Sequence, residues 1–337
     1  MKKLIAAVLT LCLLLCSLSF AAAEEKSTPS IAIVVAGTLG DRSFYDSAKE
    51  GLDQLAAEFG TKTTVVECNE GAAVGYFDGL WTAAAGDPGK GIDGSDIIAA
   101  VGWQFYDDLT EVAEAFPDKK FLFIDNALEE IPANVMCITY AQNQGSFLVG
   151  YIAGKLTATG AVGAVGGEDA DTINDFLVGY AAGAQYARED AQVRFQYANT
   201  YEDPAIGKEC ANALYSTGCD IVFAVAGKTG EGVFEAAREA DKLAIGVDGD
   251  QKYIDPDRII CSMVKRVGKS IYDVVSDPEA FFKGGETWNA DMATGYIDVV
   301  YGTEDMPQQA SDELKAEVEQ LKEKIISGEI EVPTAFK

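Results

Sequence analysis

From residue 30 onward, short apolar runs alternate with stretches whose apolar residues recur at helical spacing. Residues 31–37 form a short β-branched run, and 43–60 then bring Phe44, Ala48, Leu52, Leu55 and Phe59 onto one helical face. Residues 63–69, 97–102, 121–125 and 135–140 read as further strands. These runs are continuously apolar rather than alternating, the pattern of strands covered by helices on both faces. The rhythm restarts after Tyr140. It predicts helices over 146–156, 172–187, 204–215 and 232–240, and strands over 161–166, 193–197, 221–226 and 243–247. Further on, 259–264 and 295–301 read as strands and 269–275 as a helix. Residues 311–326 form an amphipathic helix with Leu314, Val318, Leu321 and Ile325 on one stripe. The expected class is α/β, with doubly wound sheets.

Two passages overlay. Gly94-Ser95-Asp96-Ile97-Ile98-Ala99-Ala100-Val101 resembles Gly218-Cys219-Asp220-Ile221-Val222-Phe223-Ala224-Val225. Each leads through a glycine and an alanine-bearing helix to an apolar strand ending in aspartate. Asp125 lies 29 positions beyond Asp96, and Asp248 lies 28 beyond Asp220. This predicts two lobes of one topology, each with a carboxylate at the carboxyl edge of its sheet, where open α/β sheets bind ligands. A chain of 337 residues agrees with about two domains of ~150 residues each.

Charge and residue usage narrow the chemistry. The net charge of −28 disfavours nucleic acid and anionic lipid surfaces as partners. There is no histidine, which removes Ser-His-Asp and Cys-His mechanisms and His-held zinc or haem; no metal or cofactor is expected. Lys2 and Lys3 precede an apolar run over residues 4–20 and then Ala21-Ala22-Ala23, the form of a secretory signal cleaved after Ala23. Cys12 and Cys16 follow leucines and make poor lipidation sites, so a released, exported monomer is expected. The other cysteines, Cys68, Cys137, Cys210, Cys219 and Cys261, show no CxxC spacing. Buried free thiols are the favoured reading over a Cys210–Cys219 bridge.

Several segments offer a site. Gly37-Thr38-Leu39-Gly40-Asp41-Arg42-Ser43-Phe44 joins the first strand to the first helix, with Ser43 expected as helix cap. Phe44 faces either the core or a cleft. Gly227-Lys228-Thr229 mimics part of a P-loop, but Val222 stands where the loop's first glycine belongs. Residues 86–94, with Asp-Pro-Gly, read as a surface loop. Asp125 and Asp248 suit an acid/base pair of glycosidase type, acceptors for sugar hydroxyls, or helix N-caps. Binding without reaction is the favoured reading, with a nucleoside or glycoside hydrolase as the alternative and a ligand sensor for a membrane receptor as a third.

Taken in order, these segments resemble the BMP (basic membrane protein) family of ABC-transporter substrate-binding proteins, whose characterised members are purine nucleoside receptors. The resemblance rests on Asp41-Arg42-Ser43-Phe44, Pro117-Asp118-Lys119-Lys120-Phe121 with Asp125, and Gly179-Tyr180-Ala181-Ala182-Gly183-Ala184. It continues through Ala226-Gly227 with Gly230 and Gly232, Gly246-Val247-Asp248-Gly249-Asp250-Gln251, Ser262-Met263-Val264-Lys265 and Gly328-Glu329-Ile330-Glu331-Val332-Pro333. It implies a type I periplasmic-binding fold, two lobes with a hinge and a ligand cleft, and an ABC permease as membrane partner. Crossovers are expected near 141–143, 248–251 and 287–295. That assigns 28–142 and about 250–290 to the N-terminal lobe, and 143–249 and about 291–337 to the C-terminal lobe. The resemblance further implies Phe44 and Tyr201 as stacking aromatics, with Trp103 on the wall. Gly227 and Gly230 fall in its glycine loop. Asp248 and Lys265 match groups holding ribose hydroxyls, and Asp125 matches a further cleft carboxylate. Two positions depart from the pattern. Val35 replaces an aspartate that bonds the base edge, and Tyr45 replaces an asparagine, so an apolar wall at Val35 and an altered ranking of bases are expected.

Overall fold

The computed structural model describes residues 28–68 and 74–336; the expected signal segment lies outside the described residues. The chain opens with β1 (Ile31–Val35), α1 (Phe44–Phe59), β2 (Thr63–Glu67), α2 (Tyr76–Ala85), a two-stranded hairpin β3 (Gly86–Asp87) and β4 (Ile92–Asp93), β5 (Ile97–Val101), α3 (Leu109–Ala115), β6 (Lys120–Ile124) and β7 (Val135–Tyr140). A second series follows: α4 (Gln142–Leu156), β8 (Ala161–Gly166), α5 (Asp171–Ala187), β9 (Gln192–Tyr197), α6 (Pro204–Ser216), β10 (Ile221–Val225), α7 (Glu231–Ala240), β11 (Leu243–Asp248) and β12 (Ile259–Lys265). The chain closes with α8 (Val267–Ser276), α9 (Pro278–Phe281), β13 (Glu286–Ala290), β14 (Ile297–Val300) and α10 (Asp312–Ile326).

The strands form two six-stranded sheets, ordered β13-β7-β6-β5-β1-β2 and β14-β12-β11-β10-β8-β9. All pairs are parallel in the first sheet. In the second, β14 alone runs antiparallel, against β12. Each central strand β1, β5 and β10 is buried at all five positions, which is why apolar runs without alternation encode them. This is the α/β two-lobe fold the pattern predicts.

One boundary is corrected. β12 pairs with β11 and β14 in the C-terminal sheet, so residues 250–265 do not belong to the N-terminal lobe. The chain crosses after Lys265, not at 248–251. The polar Gly249-Asp250-Gln251 segment resembles a linker, but Gln251 ties it down: its Oε1 accepts from Val247 N at 2.8 Å, and its own N–H donates to Ser262 Oγ at 3.0 Å. The other passages lie between β7 and α4 and between β13 and β14.

Helix contacts explain several glycines. A Cβ on Gly183 would sit 1.9 Å from the Phe147 carbonyl oxygen, and one on Gly150 2.1 Å from that of Tyr180. The glycine-alanine run of α5 is thus a backbone-to-backbone contact with α4. Among the described residues all five cysteines are free, and Cys210 alone of them is only half buried. No described helix is long and apolar enough to cross a membrane.

Candidate functional site

The carboxyl edges of the two sheets face one another across a cavity. Asp125 follows β6 and Asp248 ends β11, and both are buried. Both adopt left-handed backbone, at φ 77° and 62°, a conformation costly for a residue with a Cβ and concentrated at functional sites. Lys265 ends β12 and is only 2% exposed. Its Nζ donates to both oxygens of Asp125 at 2.9 Å and lies 3.9 Å from Asp248 Oδ1. Three rings surround the same ammonium, Phe44 at 4.7 Å, Phe176 at 4.9 Å and Tyr140 at 5.4 Å. A buried cation needs this enclosure by carboxylates and π-faces.

Burial pushes the carboxyls of Asp125 and Asp248 above their ordinary range, while the neighbouring ammonium pulls both down. Asp248 Oδ2 accepts from Ser43 Oγ at 2.7 Å, but Oδ1 is sealed from solvent with no hydrogen-bond partner. The site therefore presents an unsatisfied acceptor beside a cation, suited to a hydroxyl that both donates and accepts.

Ser43 stands at the N-cap position of α1, but against expectation its side chain does not cap the helix; its hydroxyl reaches across to Asp248. Asp41 does the capping. Its carboxylate accepts from the backbone N–H groups of Ser43, Tyr45 and Asp46 at 3.1, 2.9 and 3.0 Å. Burial outweighs these donors and pushes Asp41 up to about 6.

Phe44, Trp103, Asp125, Tyr201, Gly227, Asp248 and Lys265 all line the cavity. Gly230 does not: it packs behind the wall, where a Cβ would meet the Ala224 Cβ at 3.3 Å. The Gly227–Gly230 turn instead fixes Tyr201. Thr229 N donates to Tyr201 O at 3.0 Å, and Asp203 N donates to Thr229 Oγ1 at 2.9 Å. The Tyr201 ring lies on bare backbone at Gly167, where a Cβ would be 2.0 Å from Cε1. Val35 is fully buried in β1 and is not part of the lining, so the expected apolar wall there is absent. Neither Asp125 nor Asp248 caps a helix.

Sequence reasoning missed Asp41, Gln104, Phe176 and Lys228 as lining residues. Their common signal is position: each sits in the turn or first helical turns after a strand's carboxyl end. Thr172, in the first turn of α5, also donates to the Asp125 carbonyl at 3.4 Å.

Comparison with known proteins gives the family. Residues 28–335 match the Bmp family, described as "ABC transporter substrate-binding protein PnrA-like". Basic membrane protein A1 of Borrelia garinii is 33% identical, over 99% of this chain and 96% of that protein. A Lactococcus lactis protein named "ABC transporter nucleoside-binding protein BmpA" is 32% identical, over 92% of this chain and 91% of its own length. An ABC transporter solute-binding protein from Aeropyrum pernix superposes with a TM-score of 0.76 at 29% identity, covering 90% of this chain and 94% of that one. The family consists of solute-binding proteins and not enzymes, which sets the hydrolase alternative aside. Such proteins act outside the cytoplasm, with a small-molecule ligand and a membrane permease as partners. The chain belongs to the Bmp family of PnrA-like ABC transporter substrate-binding proteins.

Proposed function

We propose that the solute delivered to the permease is a nucleoside, most plainly a purine nucleoside, held with its base among Phe44, Tyr201 and Trp103 and its ribose against Asp125, Asp248 and Lys265. The observation that carries this reading is the buried, unpartnered Oδ1 of Asp248 beside Lys265, at one end of a cavity whose other polar and aromatic walls suit a planar ring. A vicinal diol fills such an acceptor–cation pair, and a base on an aromatic ring contributes about 1–3 kcal/mol by stacking. The name of the Lactococcus relative supports the same class. The protein works as an exported monomer.

Isothermal calorimetry with adenosine, inosine, guanosine and uridine tests the reading. One-to-one binding is expected, with the ligand recovered intact. Asp248→Asn should weaken it by about tenfold or more, since the ribose loses a charged acceptor. Absence of heat with every nucleoside overturns the assignment.

A further inference from the structure

Among the described residues, the cavity wall contains another orphan acceptor besides that of Asp248. Gln104 Oε1 is sealed from solvent and has no hydrogen-bond partner. It belongs to a single 3₁₀ turn, Trp103–Phe105, directly after β5. Gly102, at φ 126°, lets the chain fold back so that the amide lies over it: a Cβ on Gly102 would stand 2.6 Å from Gln104 Oε1. The turn thus holds the amide against the wall with its oxygen buried. An unpaired buried carbonyl costs about 1–3 kcal/mol, and it is relieved when a ligand N–H reaches it.

The position within the sheet matters as much as the orphan. β5 lies beside β1, with Val101 opposite Val35. Val35 is in the core, so the first strand offers no side chain to a ligand's edge. Gln104, three residues beyond Val101 at the same sheet edge, does. It stands in the lining together with Trp103, Phe44 and Tyr201.

We infer that Gln104 reads the hydrogen-bonding edge of the base. The inference rests on the nucleoside reading above. An amide carries an acceptor and a donor side by side. It can pair with the 6-amino group and N1 of adenosine, or, turned over, with N1–H and the 6-oxo group of inosine. Both purines are therefore accepted. A carboxylate at this place has acceptors alone; it would retain the N1–H purine and be repelled by the lone pair at N1 of adenosine.

The test compares adenosine, inosine and purine riboside, which has no substituent at position 6, by calorimetry on the full chain. Gln104→Leu should lose about tenfold or more in affinity for adenosine and inosine and less than roughly threefold for purine riboside. Gln104→Glu should shift the inosine-to-adenosine affinity ratio by about tenfold toward inosine. Retained binding of purine riboside shows that the variants are folded. Wild-type-like binding of adenosine and inosine by Gln104→Leu overturns the assignment and leaves the nucleoside reading intact. Equal loss of all three ligands also overturns it, since the residue would then only shape the wall. A wild-type protein that binds none of the three, or any other nucleoside, removes both readings.

Discussion

Asp41 shows how burial can reverse the usual effect of a helix N-terminus on a carboxylate. Three backbone donors pull its pKa down, yet desolvation dominates and raises it to about 6 from an ordinary value of 3.8. Asp125 and Asp248 are raised in the same direction. A raised folded-state pKa means that the native protein binds the proton more tightly than the unfolded chain. The associated stability is present below about pH 4 and is lost as pH climbs through 6. For Asp41 the swing is on the order of 3 kcal/mol. The ligand-free protein is thus expected to melt at a lower temperature at pH 7 than at pH 4.5, and Asp41→Asn should flatten that slope. Thermal unfolding across this range checks it; a melting temperature that rises with pH in the wild type would refute the assignment.

Elements also meet backbone to backbone where α1 packs on α8. A Cβ on Gly51 would lie 2.3 Å from the Gly268 carbonyl oxygen, and one on Gly268 would lie 2.1 Å from that of Ser47. No rotamer relieves a clash between a Cβ and backbone, so Gly51→Ala must separate the helices. A loss of about 1–3 kcal/mol in urea unfolding is expected; an unchanged midpoint would mean that the contact is slack. Such contacts were only partly legible in the sequence. Glycines are visible there, but their partners are not. Strands buried on both faces were legible, because five consecutive apolar residues have few other uses. β13 was not, because Glu286–Ala290 is an edge strand with mostly exposed positions. Asp125 and Asp248 could be read through the internal repeat. Gln104 could not: glutamine has no periodic signature, and its role arises from the turn at Gly102. The second crossover was misplaced because a glycine-rich polar segment looks the same whether it links two lobes or folds back on one.

For the whole molecule, the lobes are held together by polar contacts around the cavity. Thr38 donates to Glu202 through its N–H and its hydroxyl, at 3.2 and 2.8 Å. Gln251 Nε2 donates to the Arg42 carbonyl at 3.1 Å. Lys265 joins Asp125 across the gap. These contacts exist only when the lobes are together, so each biases the hinge toward closure. Glu202 lies outside the cavity lining, which makes it the cleanest to remove. Glu202→Ala should enlarge the ligand-free radius of gyration in small-angle scattering and weaken ligand binding by the fraction of closed state lost. Identical scattering and affinity would show that this pair contributes nothing to closure. The free cysteines have a different use. Burial pushes the thiols of Cys68 and Cys261 up to about 12, so neither is a thiolate in the native protein and neither reacts readily with alkylating agents. Each becomes an ordinary reactive thiol once its lobe unfolds. Cys68 lies beside the N-terminal sheet and Cys261 within the C-terminal one, so with Cys137, Cys210 and Cys219 replaced the pair serves as one chemical clock per lobe. Their relative labelling rates tell whether the two lobes come apart as a single cooperative unit or one before the other.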